Sequence, residues 1–600
     1  LIRLGTERSS QGNALTTETW NYFGAGTWTL GDHDVKFGAE YSDNEIYNYF
    51  SQDSWGNYRF FGLDNFESGK WSRYAYRAET SPGSIPAQYS SKNLGLFIQD
   101  TWYVNPNLTL TFGLRADRPD TSPAPQYNAA AEVAWGRDNS KIFDSNFIVQ
   151  PRFGFNYTFD TERQTQLRGG IGLFQGDAPQ VWVGNSYNTT GLNSVSYTFT
   201  SYRADLPFST DGFNQPVPAT PGSGLRDINF VAEDFELPSV WKANLAVEHE
   251  TPWHGIVASA EVLMTKVNNG LFYRNLNLGP GYTGPDGRTL FWNPSAKNFL
   301  SSSNNRFGRN AAYDFVYLID NTSKGRSNQL TVSLTKPWSA ESDWSWTFGY
   351  TYTDATEVGP LTSSTAGSGF NYQYAFNSGE DVETNSRYEI KDRFTGSLDW
   401  KHAFFGDYET RVGLVYEGRS GRPFSYLFNG DANGDSRANN DLCYVPAGPG
   451  DVKFGTLSSS GVFVANAAME TSFFNWLASV PELNAFRGSY APANGFRTDW
   501  VNTFDLRLSQ ELPGLFAGHK SKVWVDIQNI GNMLNEDWGH IIDYGFFANA
   551  RVAALQGIHD GKYVYSYNTT DQPAPANNDA DGVNTGVSQW SIQVGLKYEF

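Results

Sequence analysis

The sequence predicts an all-β transmembrane antiparallel β-barrel, with about 15 strands visible of an expected 22, short periplasmic turns and long extracellular loops. Three observations lead there. Apolar and polar residues alternate strictly in many separate segments, short and long connections alternate along the chain, and the composition suits no other class. Of the 600 residues, 39% are hydrophobic but 16% are aromatic, with 59 Gly, 3 Met and 1 Cys. Charged residues are 18%, below the usual quarter, which is too few for a disordered chain so rich in aromatics. The lone Cys443 rules out an intramolecular disulfide framework. Mean hydropathy is −0.48, and the absence of any run of about 18 apolar residues excludes a helical membrane protein. A net charge of −19 speaks against nucleic acid as a partner. The chain opens Leu1-Ile2-Arg3 without Met or signal-peptide regions, so it is expected to be processed or to be part of a longer chain.

The strands follow from period two. From Leu108 to Asp117, Leu108, Leu110, Phe112, Leu114 and Ala116 share one face; Thr109, Thr111, Gly113, Arg115 and Asp117 share the other. At 344–353, Trp344, Trp346, Phe348, Tyr350 and Tyr352 oppose Ser345, Thr347, Gly349, Thr351 and Thr353. Phe504, Leu506 and Leu508 alternate with Asp505, Arg507 and Ser509. Val523, Val525 and Ile527 alternate with Lys522, Trp524, Asp526 and Gln528. Only 461–480 has a helical period, and a weak one. Short gaps fall near 31–32, 104–106, 160–163, 251–255, 337–341, 402–407 and 513–519. Long gaps fall near 49–91, 118–149, 176–237, 269–324, 355–387, 421–499 and 532–587. A soluble sandwich has no reason to alternate short and long connections in this way, whereas an outer-membrane barrel does. Counted between the gaps, about 15 strands run from near Trp20 to Phe600. The first runs down to a short turn, as the eighth strand of 22 would after about seven missing ones.

Three pairs of segments carry a family resemblance. Leu96-Phe97-Ile98-Gln99-Asp100-Thr101-Trp102 with Asn107 to Arg115, and Pro151 to Phe155 with Leu167 to Phe174, resemble successive hairpins of TonB-dependent receptors. Phe504 to Leu508 with Asp526-Ile527-Gln528-Asn529-Ile530-Gly531-Asn532 is similar to the penultimate hairpin of that family. The nearest branch is the Oar-like one, which bears a carboxypeptidase-regulatory-like N-terminal domain. The resemblance spans most of the chain and identifies residues 1–600 as the C-terminal two-thirds of such a barrel. The N-terminal domain, TonB box, plug and first strands have no counterpart in it. It implies an outer-membrane receptor of a Gram-negative cell, taking up a scarce ligand through a plugged barrel. Its partners would be membrane lipid, the TonB complex through the missing N-terminal region, the barrel-assembly machinery, and a ligand or surface protein. The alternatives are an Oar-like barrel for protein export or adhesion, and a secreted Trp-rich carbohydrate-active β-sandwich.

Arg115, Arg168, Asp505, Arg507 and Asp526 lie on polar faces and are expected to line the lumen, holding the plug or the path. Trp590 to Phe600 alternates to the end, and Leu596, Tyr598 and Phe600 are expected to form the assembly signal, read by strand pairing at an exposed edge. Asp431-Ala432-Asn433-Gly434-Asp435 through Asp441 resembles a calcium loop in its alternating Asp and Asn, making Asp431, Asn433, Asp435 and Asp441 candidate Ca²⁺ ligands. Gly stands at the fourth position rather than the sixth, and Leu442 where the bidentate Glu belongs. The plainer reading is a loop held by side-chain to backbone bonds. His33, His254, His402 and His519 sit at separate short turns and cannot share a metal. Glu380, Asp381 and Glu383 read as a solvated acidic loop, since nothing marks one as acid and another as base. Gly169-Gly170-Ile171-Gly172 lies in a strand with no helix after it, so it is no phosphate cradle. With no His-Glu-x-x-His, Gly-x-Ser-x-Gly or P-loop stretch, no enzyme activity and no certain cofactor is expected. Tyr372, Tyr374 and Phe376, and Phe473, Phe474 and Trp476, either stack on a ligand or pack the loops together; the second reading is favoured.

Overall fold

A computed structural model describes residues 2–142, 146–177, 179–219, 224–300, 306–361, 363–542, 544–568 and 585–600. The alternating segments form one antiparallel meander. Its strands are β1 (Gly12–Leu30), β2 (His33–Ser51), β3 (Ala87–Asn105), β4 (Leu108–Ser122), β5 (Ile148–Phe159), β6 (Thr165–Gln175), β7 (Ser239–Glu250) and β8 (Val257–Asn275). It continues through β9 (Arg326–Lys336), β10 (Trp344–Glu357), β11 (Asp392–Phe405), β12 (Tyr408–Arg419), β13 (Val501–Pro513), β14 (Lys520–Gln528) and β15 (Ser591–Glu599). Each pairs with the next in chain order, from Gly12↔Ser51 at one end to Gln528↔Ser591 at the other. The first strand begins at Gly12, ahead of Trp20, because its ladder to β2 continues past the apolar stretch as far as Ser51.

All tight connections lie on one side of the sheet. Two of them, Gly31-Asp32 and Gly406-Asp407, are two-residue turns whose glycines take φ of 59° and 64°, the left-handed first position that a two-residue hairpin favours. Trp253, Trp338, Trp344, Phe404, Phe405 and Phe516 are exposed at or beside the tight turns, as in an interfacial aromatic girdle. Among the described residues no helix is long and apolar enough to cross a membrane.

The apolar face of the wall is open. Phe112, Leu114 and Phe348 are 45%, 48% and 53% exposed, and Leu110 joins none of the buried clusters. Among the described residues no second sheet covers them, so the two-sheet sandwich weighed as an alternative is not the architecture. A contiguous apolar band of this extent needs lipid rather than water.

The hydrophobic cores sit elsewhere, in the long connections. One gathers Trp292, Phe299, Phe428, Phe454, Phe473 and Tyr565 with their neighbours. A second gathers Ile228, Phe230, Leu271, Val316, Leu318 and Phe370, with Ile46 and Tyr89 at the outer ends of β2 and β3. Short strands stitch distant loops together: Arg226–Val231 runs parallel to Tyr313–Thr322, and Lys453–Leu457 parallel to Lys562–Ser566. Helix α1 (Ala467–Ala478) lies within the 461–480 stretch. Asn466 caps it by accepting from Met469 N, and it buries Phe473, Trp476 and Leu477. The outer loops are thus a folded cap on the wall.

Candidate functional site: the polar wall and the outer cap

The polar face of the wall is laced by ion pairs within and between its strands. Arg115 on β4 reaches Asp117 at 2.7 Å and Glu40 of β2 at 3.2 Å; Gln150 of β5 also donates to Asp117. Arg168 on β6 pairs with Glu248 of β7 at 2.8 Å. Arg507 on β13 lies 3.5 Å from Asp526 of β14 and 5.4 Å from the Trp524 ring centroid. Asp505 instead accepts from Asn529 N at 2.7 Å, just beyond β14. Of the five residues expected on this face, only Arg507 and Asp526 meet. Arg115 and Arg168 belong to separate clusters, so the polar face is an extended lining and not one converging site. Partly exposed pairs of this kind hold side chains in place more than they add stability.

The end of the chain is fixed by packing as well as pairing. Leu596 and Phe600 are 73% and 97% exposed. Between them, the Tyr598 hydroxyl accepts from Leu515 N at 3.1 Å and lies 2.8 Å from His519 Nδ1, so the β13–β14 turn grips the last strand. The Trp524 ring covers Gly595, where a Cβ would come within 2.1 Å of it. Two of the other turn histidines also have local partners: His33 with Asp100 and Trp102, His402 with Asp343. They remain on separate hairpins.

In the cap, the Asp431–Asp441 loop joins three outer connections. Asp431 accepts from Gly434 N and Ser436 N and pairs with Arg306; Asp441 accepts from Ala432 N and faces Arg288 at 3.8 Å. Asp435 accepts from Arg437 N and Asn440 Nδ2, both at 2.7 Å, and Asn433 donates to Ser378. Arg288 is wholly buried, held by Asp286 at 2.7 Å and flanked by the Phe376 and Phe428 rings. Burial, and then the neighbouring carboxylates, push the Asp431 and Asp441 carboxyls well above the usual range; burial pushes Asp435 up too. Burial opposes the charge of Arg288, but Asp286, Asp441 and Tyr563 outweigh it and hold the guanidinium protonated. Among the described residues no three His, Cys, Asp or Glu side chains are grouped to hold a metal ion. Side-chain to backbone bonds hold the loop, as the plainer reading expected, and Arg288 and Arg306 face its carboxyls.

The remaining candidates are also engaged. Glu380 accepts from Asn377, Asp381 lies 3.4 Å from Lys324, and Glu383 lies 3.0 Å from Arg326. Tyr372 stacks on Phe547, Tyr374 carries Arg387 on its ring, and Phe376 stacks on Tyr490. Phe473 and Trp476 are buried in the cap, which is the packing role favoured for them. Sequence reasoning missed Arg288, Arg306 and Arg387, and missed that the cap has cores. The signal was present in Phe424-Ser425-Tyr426-Leu427-Phe428 and Tyr563-Val564-Tyr565-Ser566-Tyr567, where aromatics repeat every second residue inside stretches read as loops.

A model of the outer membrane beta barrel domain family matches residues 3–536. No curated protein matches the sequence. Among solved structures, a mutant of the ferric enterobactin receptor PfeA of Pseudomonas aeruginosa is 13% identical, with a TM-score of 0.41, over 86% of this chain and 48% of its own. The outer membrane transporter YddB of Escherichia coli is 12% identical, with a TM-score of 0.46, over 86% and 51%. The siderophore receptor PirA of Acinetobacter baumannii is 9% identical, with a TM-score of 0.39, over 86% and 51%. The chain spans about half the length of these structures.

Proposed function

Because this chain belongs to the outer membrane beta barrel domain family, and is therefore an outer-membrane protein, we propose that it forms the later part of the wall of a TonB-dependent receptor of the Oar-like branch. One observation carries the reading. Among the described residues β1 pairs only with β2, β15 pairs only with β14, and no ladder joins β1 to β15. Both end strands are exposed on both faces along nearly their whole length. In hydrocarbon each unpaired backbone group costs several kcal/mol, so free edges call for further strands. Fifteen strands that begin by running down are completed by about seven more, giving a plugged barrel of about 22. Arg115, Arg168, Arg507 and Asp526 would then face the plug or the path. The outer cap would bind a scarce ligand, and the TonB complex would act through the region that carries the plug.

A second reading is protein export or surface adhesion. It is favoured by the cap itself, which has cores and sheets of its own where simple ligand-binding loops need none. Conductance separates a plugged wall from an open one. The whole protein in planar bilayers is expected to conduct little, and ligand uptake by cells is expected to stop without TonB. A steady, large open-pore conductance would replace the receptor with a self-contained porin. Normal uptake without TonB would remove the energy coupling.

A further inference from the structure

The connection between β2 and β3 carries an exposed aromatic ridge. Phe61, Leu63 and Phe66 are 71%, 72% and 42% exposed; Phe213, from the 176–238 connection, is 84% exposed, and Trp55 is 37% exposed. Two sets of ring contacts run beneath and through this surface, linked by the bond that the Tyr58 hydroxyl donates to Gln215, two residues beyond Phe213. Trp55 lies 5.9 Å from Phe213 between ring centroids, Phe60 lies 5.2 Å from Phe66, and Phe208 meets both Phe66 and Tyr58. At 150–250 Å² per aromatic side chain, the open parts of these five residues add up to on the order of 600 Å² of apolar surface. The ridge is firmly based. Beneath it Trp71, Tyr74 and Leu206 are fully buried around the small sheet of Asn57–Arg59, Arg73–Glu79 and Ser194–Phe199.

The ridge also abuts the free edge of the wall. Gln11, immediately before β1, donates to Gly56 O and accepts from Trp55 N, and Arg8 pairs with Asp53 at 2.6 Å. Gly12, the outer end of β1, pairs with Ser51. Any strand that completes the ladder on β1 must therefore end, at its outer side, beside Gly12 and Trp55. Its outer loop then leaves the membrane at the ridge. We infer that the ridge is the seat of that loop, so that one partner segment, apolar or aromatic at its outer tip, covers both the β1 edge and the Trp55–Phe213 surface. The inference rests on the proposed completion of the wall and adds where the completing segment docks outside the membrane.

The test uses the protein as it stands in the outer membrane of intact cells. Cys443 is the only cysteine of this chain and is buried, so introduced cysteines report against the unmodified protein as background. Phe213→Cys and Phe61→Cys are labelled with a membrane-impermeant maleimide. Val462→Cys, at a 60% exposed position in another outer loop, is the reference. A photo-crosslinking residue at Thr17 in β1 reports separately whether the edge is paired. A crosslink from Thr17 is expected, with labelling at 213 and 61 at least tenfold slower than at 462. A crosslink with fast labelling at both positions overturns the docking and leaves the completed wall standing. No crosslink with fast labelling overturns both. No crosslink with slow labelling means that something else covers the ridge, which also overturns the inference. If Phe213→Cys does not reach the membrane, Phe61→Cys poses the same question from the other end of the ridge.

Discussion

Phe348→Arg tests whether the apolar face meets lipid. Phe348 is 53% exposed on β10, four positions along the strand from Trp344, which is 46% exposed near the tight turn. At about 3.3 Å per residue and a tilt of about 40°, it stands roughly 10 Å above that aromatic level, close to the middle of an apolar band about 25 Å tall. Arginine at that depth is expected to cost about 2–4 kcal/mol, and at position 344 about 0–1 kcal/mol. The first figure is a shift of about 30- to 700-fold in the folding equilibrium. Thr347 points to the other face, where it bonds Thr335 at 3.2 Å, and Thr347→Arg should stay within about 1 kcal/mol. Urea titration of the whole protein in lipid vesicles, followed by tryptophan emission and heat-shift electrophoresis, gives all three values. Equal costs at 347 and 348 would refute the assignment of faces. Equal costs at 344 and 348 would refute the depth.

Three further outcomes are expected. Deleting Phe600 should lower the yield reaching the outer membrane far more than it lowers the heat stability of protein already assembled; normal yield would remove its role as an assembly signal. Asp431 is pushed up to about 7 by burial and by Asp435, against an ordinary 3.8. The folded cap therefore holds more protons than the unfolded chain between these values, and its stability should fall as pH rises through that window. The thermal midpoint reported by Trp292 should be higher at about pH 5 than at about pH 8, and Asp431→Asn should flatten the difference. The calcium expectation for Asp431, Asn433, Asp435 and Asp441 predicts terbium luminescence that is lost in Asp435→Asn; no luminescence in the unsubstituted protein would leave the loop to its internal bonds and arginines.

The wall was legible in the sequence, and the cap was not. Period two is a local property, so Leu108 to Asp117 or Trp344 to Thr353 fixes a strand and both of its faces without reference to anything distant. Turn length is also local, and short turns alternating with long connections set which side faces the periplasm. The same holds for the polar residues: that Arg115, Arg168 and Arg507 share one face follows from their parity. Their partners are a different matter. Arg115 meets Glu40, and Arg507 meets Asp526, only because the ladder register brings particular residues side by side. The cap is decided almost wholly by tertiary packing. Arg288 is buried with Asp286, Asp441 and two phenylalanine rings drawn from three connections, and no spacing within one connection encodes that meeting. The Asp431–Asp441 loop shows the same division. Its Asp and Asn residues announce local turns, whereas the arginines that face the buried carboxyls come from the surrounding fold, and a buried carboxyl must either find such a partner or take up a proton.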